Sequence, residues 1–219
     1  MHFKDKAYYL LIGFFCFFIQ HVIAQDQRVA DSLEVIYQED KLVGKEKLEL
    51  LKNLAFNLRK DYDLSLKYVG ELIRLAEQVN DYKYLYSGYL QKGGIYLQRG
   101  DLKLALDAFF ESAKIATVKT HIEADEGVAY LSIADTYSSM DNYSNAEEYY
   151  NKAIYLIRKT NDSIALASAL LNAGDTYFIN KKYKKALDNF EESGVIFKKV
   201  NYLTGSAYNI GNVGLVYAE

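Results

Sequence analysis

The sequence predicts an all-α fold, with antiparallel helix pairs stacked side by side as a solenoid. Three observations carry that expectation. The 219 residues contain no proline, where average usage is about 5%, so nothing in the chain is built to break a long helix. A segment of about forty residues recurs through the second half of the sequence. Within each copy, small and aromatic residues fall at i, i+4 and i+7, which is one face of a helix. Half of the residues are apolar and a quarter charged, enough for a packed core. The formal charge of −3 argues against a nucleic-acid binder.

The elements follow in chain order. Residues 1–24 have the pattern of an export signal. Lys4 and Lys6 form a short basic start, Ala7 to Ile19 is almost wholly apolar, and Val22 and Ala24 place small residues for cleavage before Gln25. The alternative is an uncleaved membrane anchor, although Gln20 and His21 interrupt the end of the apolar run. Cys16 lacks the small residue just before it that a lipoprotein signal would carry. Cleavage would leave no Cys and a single His, His121, so stability would rest on apolar packing without disulfides. Residues 25–45 form a capping region, with a helix expected over 27–42.

Repeats are then expected over 46–85, 86–126, 127–166 and 167–206, with a partial copy over 207–219. A small residue stands at Gly93, Ala134, Gly174 and Gly214, and three residues later comes Tyr96, Tyr137, Tyr177 and Tyr217. The tyrosines are spaced by 41, 40 and 40 residues. Ala105/Phe109/Ser112, Ala146/Tyr150/Ala153 and Ala186/Phe190/Ser193 repeat the second face. Small residues let two helix backbones approach, and rings fill the space beside them. Polar, turn-forming stretches separate the halves at Arg99-Gly100-Asp101, Asp141-Asn142 and Asn180-Lys181-Lys182. One period earlier, Phe56, Asn53 and Ser65 mark a weaker copy. The segment from Asn209 to Glu219 matches only a first helix, so the sequence reads as a piece of a longer protein; the alternative is that this helix is itself the cap.

This series of small residue, aromatic, Ala, aromatic and small residue resembles the tetratricopeptide repeat (TPR). Two features depart from that family: the proline near the repeat end is missing, and the period is 40 rather than the usual 34. Six extra residues add roughly 9 Å of helix per pair. Longer repeats of this kind are similar to those of peptide-sensing regulators and motor light chains. The resemblance implies a TPR-like α-solenoid that binds a protein or peptide on its concave face.

Carrying the family's groove positions onto this sequence gives Ser87, Leu90, Gly94, Leu97 and Gln98 in one unit. The next two units give Val128, Leu131, Asp135, Ser138 and Ser139, then Ser168, Leu171, Asp175, Phe178 and Ile179. The Lys and Asn that clamp a peptide carboxylate in some TPR grooves do not occur there. An apolar column (Leu90, Leu131, Leu171) beside two acids suits an apolar or basic peptide, unless those leucines serve ordinary packing between repeats. Asp135 and Asp175 share one repeat position, which explains their alignment without invoking a catalytic carboxylate pair.

No enzyme chemistry, cofactor or metal site is expected. Phosphate-loop motifs are absent, and one loop histidine supplies neither a catalytic base with a partner nor a zinc site. Lys181, Lys182, Lys184 and Lys185 have the pattern of a solvated turn and helix start. The functional expectation is a protein- or peptide-binding scaffold outside the cytoplasm, periplasmic or secreted. The alternative, by resemblance, is the sensory front of a membrane-bound bacterial histidine kinase or helix-turn-helix regulator.

Overall fold

The computed structural model describes residues 28–58 and 61–219; the expected export signal lies outside the described residues. Among these residues the structure is helical, without strands. The chain divides into two compact units, the first ending at Val79 and the second running from Asn80 to Glu219.

The first unit contains α1 (28–38), α2 (Gly44–Asn57) and α3 (Tyr62–Gln78). The Asp61 carboxylate caps α3 by accepting from the Leu64 N–H at 3.0 Å. Ser65, at the expected second small position, is buried and donates to the Ala55 carbonyl at 2.7 Å. Phe56 differs from the expectation, being 54% exposed. The stripe that α2 buries runs through Leu48, Leu51, Leu54 and Ala55, and Phe56 falls beside it rather than on it. α1 is tied to α3 by two phenols: Tyr37 donates to Glu71 at 2.8 Å, and Tyr68 donates to Glu34.

The second unit stacks α4 (Tyr82–Arg99), α5 (Leu102–Ile115), α6 (Glu123–Ser139), α7 (Tyr143–Ile157), α8 (Ser163–Ile179), α9 (Tyr183–Lys199) and α10 (Leu203–Tyr217). Asp81, Asn142 and Asp162 cap α4, α7 and α8 through their side chains. The turn inside each helix pair bends at the same repeat position, through the left-handed residues Gly100, Asp141 and Lys181. A π-helical turn over Ala116–Thr120 follows α5. It accounts for the one tyrosine spacing of 41, because a π turn holds one extra residue without ending the helix.

The pairs pack as the small/aromatic register requires. A Cβ on Gly93 would overlap the Phe109 ring, and one on Gly174 would overlap the Phe190 ring. These rings, with Tyr150, are almost fully buried. α10 repeats the first-helix pattern, yet a Cβ on Gly214 would meet nothing within 4 Å. Tyr217 is accordingly 72% exposed, against 5% for its counterpart Tyr177.

The order of the layers is visible in the contacts. Within the second unit each helix packs on its neighbours in the chain, and first helices also touch first helices: α4 with α6, α6 with α8, α8 with α10. The second helices α5, α7 and α9 make no such backbone approach to one another among the described residues. First helices therefore form the inner, concave layer of this unit. Side-chain reach agrees. Short groups join first helices, such as Ser138 and Thr176 with hydroxyls 2.9 Å apart. Long ion pairs span the outer layer, with Glu147 of α7 meeting Lys182 and Lys185, and Arg158 meeting Glu192.

Candidate functional site

The inner layer of the second unit gathers the expected groove positions on α4, α6 and α8. On α4, Ser87 and Leu90 are half-buried and Gln98 is exposed. Gly94 opens onto free space, since a Cβ there would meet nothing within 4 Å. On α6 and α8, Leu131 and Leu171 are half-buried and pack against the core formed by Ala134, Tyr150, Ala173 and Phe190. The leucine column thus serves inter-repeat packing with one side and faces outward with the other. Phe178 packs on the same core and lies against Tyr183, ring centroids 5.7 Å apart.

The two acids sit in a ladder of hydrogen bonds between first helices. Asp135 on α6 accepts from the Asn172 amide on α8, at 3.2 Å to Oδ1 and 3.4 Å to Oδ2. Asp175 on α8 accepts from the Asn212 amide on α10 at 2.5 Å. The two rungs are one repeat apart. The ladder does not extend back to α4, because Gly94 holds the corresponding position and carries no side chain. Asn172 and Asn212 were not among the sequence-derived groove residues. Their forty-residue spacing was the available signal, and only the facing of the helices reveals what they bond.

A further donor separates the two acids. The Tyr150 hydroxyl on α7 donates to Asp135 Oδ1 at 2.6 Å. One period later the ring is Phe190, which has no hydroxyl to offer Asp175. Burial, the largest influence, leaves the Asp135 carboxyl raised above its ordinary value, although its bonds to Tyr150 and Asn172 act in the opposite direction. Burial also raises Asp175, to about 6, with only the Asn212 bond opposing. Burial, and then the neighbouring Asp135 charge, push the Tyr150 phenol far upward, so it stays protonated and remains a donor. Neither acid forms an ion pair with a cation among the described residues.

The remaining sequence candidates fall elsewhere. Lys182 and Lys185 are paired to Glu147, and Lys184 to Asp188 at 3.1 Å. His121 is exposed at a left-handed turn position. Among the described residues, no group of His, Cys, Asp and Glu is arranged to hold a metal ion, and no helix is long and apolar enough to cross a membrane.

Comparison with known proteins bears on the fold. A family model described as tetratricopeptide repeat matches residues 125–193. Over those residues the chain is similar to tetratricopeptide repeats. Solved TPR structures share the architecture. One is a signal transduction ATPase with numerous domains, with a TPR sensor, from Pyrococcus horikoshii: TM-score 0.76 at 19% identity, over 91% of this chain and 32% of that one. This chain therefore spans about a third of that protein's length. Another is a kinesin light chain with nearly identical TPR-like repeats from Podosopora anserina, at TM-score 0.65 and 15% identity, over 82% and 90% of the two chains. A third is a Rap protein complexed with competence and sporulation factor, at TM-score 0.62 and 17% identity, over 90% and 60%. A search of curated protein sequences gave no match. At these identities the likeness is one of TPR fold alone.

Proposed function

We propose that the TPR inner layer of the second unit binds a peptide or protein segment, apolar or basic in character, without catalysis. One observation carries the reading. The layer presents half-buried leucines beside Asp135 and Asp175, which lack cation partners among the described residues, Asp175 with a single side-chain donor, and this complements an apolar segment with positive charge. The Rap protein in complex with competence and sporulation factor is consistent with such use of the fold.

Selection of displayed random peptides against the full chain tests this. Binders enriched in Leu, Ile, Lys and Arg are expected, and Gly94→Trp should abolish their capture. That substitution starts a bulky side chain at a position where a Cβ meets no atom within 4 Å. A library that yields no binder, or binders insensitive to Gly94→Trp, would overturn the proposal.

We further propose that the chain acts outside the cytoplasm, behind the export signal of residues 1–24, as the sensory part of a signalling protein. The TPR sensor of the Pyrococcus horikoshii protein favours a sensing role for a domain of this shape. Mass spectrometry of the exported product should find a chain beginning at Gln25. An intact Met1 in the cytoplasmic fraction would contradict export.

A further inference from the structure

Two joints between helix pairs inside the second unit are built differently. Between the third pair (α6/α7) and the fourth (α8/α9), directional bonds hold both edges. At the edge where each pair makes its internal turn, the Ser138 and Thr176 hydroxyls lie 2.9 Å apart, and Glu147 meets Lys182 and Lys185. Asp135 and Asn172 bond partway along the first helices. At the opposite edge, where the chain crosses from one pair to the next, Arg158 meets Glu192.

Between the second pair (α4/α5) and the third, polar bonds gather toward the crossing edge. The Tyr86 hydroxyl donates to the Asp125 carbonyl at 2.8 Å, and Tyr130 is hydrogen-bonded to Thr117. The crossing itself begins with the π-helical turn, where Thr117 and Thr120 donate back to the Ala113 and Ala116 carbonyls of their own helix, at 2.9 and 3.3 Å. Further along, these bonds give way. Gly94 offers no side chain where the later repeats have Asp135 and Asp175. Ser132, the counterpart of Asn172, donates to the Val128 carbonyl of its own helix at 3.1 Å. Among the described residues no ion pair joins α5 to α7; the lysines Lys114 and Lys152 pair within their own helices. A ring contact lies between these helices instead. Phe110 of α5 meets Tyr149 of α7 with centroids 5.8 Å apart, and Tyr149 is backed by Tyr137 at 5.7 Å. Ring contacts tolerate sliding, whereas hydrogen bonds fix distance and angle.

We propose that the joint between the second and third helix pairs is a hinge, at which α4/α5 swings about the Tyr86–Asp125 edge, over the Phe110–Tyr149 contact, against a rigid body made of α6 to α9. Leu90 and Gly94 ride on the swinging pair, and Leu131, Asp135 and Leu171 on the rigid body, so the swing sets the width of the inner groove. A segment bound across these helices closes the joint. That closure rests on the peptide-binding reading above and specifies how the groove adapts; the hinge itself needs no ligand.

Spin labels on the outer helices test it in the full chain, with Cys16→Ser removing the one native thiol. Lys103, Ser144 and Lys184 are exposed and share one repeat position, at the turn edge of α5, α7 and α9. They are replaced by Cys in pairs. Pulsed electron resonance should give a 103–144 distance distribution at least about twice as broad as the 144–184 distribution. Gly94→Asp combined with Ser132→Asn installs the missing rung, at a position where a Cβ meets nothing within 4 Å, and should narrow 103–144 to the width of 144–184. A Leu- and Lys-rich peptide from the displayed library should narrow 103–144 and leave 144–184 unchanged. Equal widths in the free chain, or a 103–144 width that the rung leaves unchanged in a variant with wild-type circular dichroism, would overturn the hinge and leave the peptide-binding reading intact. A captured peptide that leaves 103–144 as broad as before would overturn the closure. If the free-chain widths differ as expected and no library peptide binds, the peptide-binding reading and the closure fall while the hinge stands.

Discussion

The third and fourth helix pairs, α6/α7 and α8/α9, follow one plan and differ by a few atoms. In the third, Ala134 meets Tyr150, whose hydroxyl continues past the packing contact to Asp135. In the fourth, Gly174 meets Phe190, and the equivalent acid keeps one donor, Asn212. Packing is conserved between the pairs while the electrostatics is not. A ring position that looks like pure core therefore also bonds an acid on a first helix. A buried carboxylate with two donors is a structural joint, whereas one with a single donor keeps capacity for an outside partner.

The largest expected effect concerns the close approach that the fourth pair makes and the third does not. Gly174→Val must push the Phe190 ring out of its place and should cost about 3 kcal/mol in thermal or denaturant unfolding. Ala134→Val is expected to cost less, since the third pair already accommodates a Cβ. Equal losses would mean that the two pairs are packed alike. Tyr150→Phe makes the third pair resemble the fourth. It removes the 2.6 Å bond and leaves Asp135 with Asn172 alone, at a cost of about 2 kcal/mol in chemical denaturation.

A smaller effect concerns the pH response of Asp175. Asp175 is raised from 3.8 to about 6 in the folded chain. Between those values the folded state holds a proton that the unfolded state has released, so this group's contribution to stability falls as pH rises through the window. Asp175→Asn removes that loss and should stabilise the protein by about 1–2 kcal/mol at pH 7, allowing for solvent screening, with no gain near pH 4. The difference between wild type and variant is the proper readout, because Glu147, held low by Lys182 and Lys185, contributes with the opposite slope.

Much of this was legible in the sequence for a physical reason. Helix-on-helix packing needs small residues opposite rings, and that need repeats with the helices, so Gly93, Ala134 and Gly174 mark the joints with Phe109, Tyr150 and Phe190. The left-handed turns at Gly100, Asp141 and Lys181 were visible as polar stretches. Phe56 misled, because an aromatic one period upstream need not face the core when leucines already complete the stripe. The acids at 135 and 175 were recognised as a repeated position, but their difference was hidden. It depends on residues 150 and 190, which lie on other helices, and on Asn172 and Asn212, whose partners become visible only once first helices are side by side.

The most direct measurement is an NMR titration of the Asp175 carboxyl carbon in the wild-type chain and in Phe190→Tyr. The geometry predicts titration near 6 in the wild type. In the variant, a restored phenol should move it down toward the ordinary carboxylate range, with the Asn212 amide reporting the same transition. An Asp175 that titrates normally in the wild type, or one indifferent to the new hydroxyl, would contradict the claim that one missing oxygen distinguishes these two repeats.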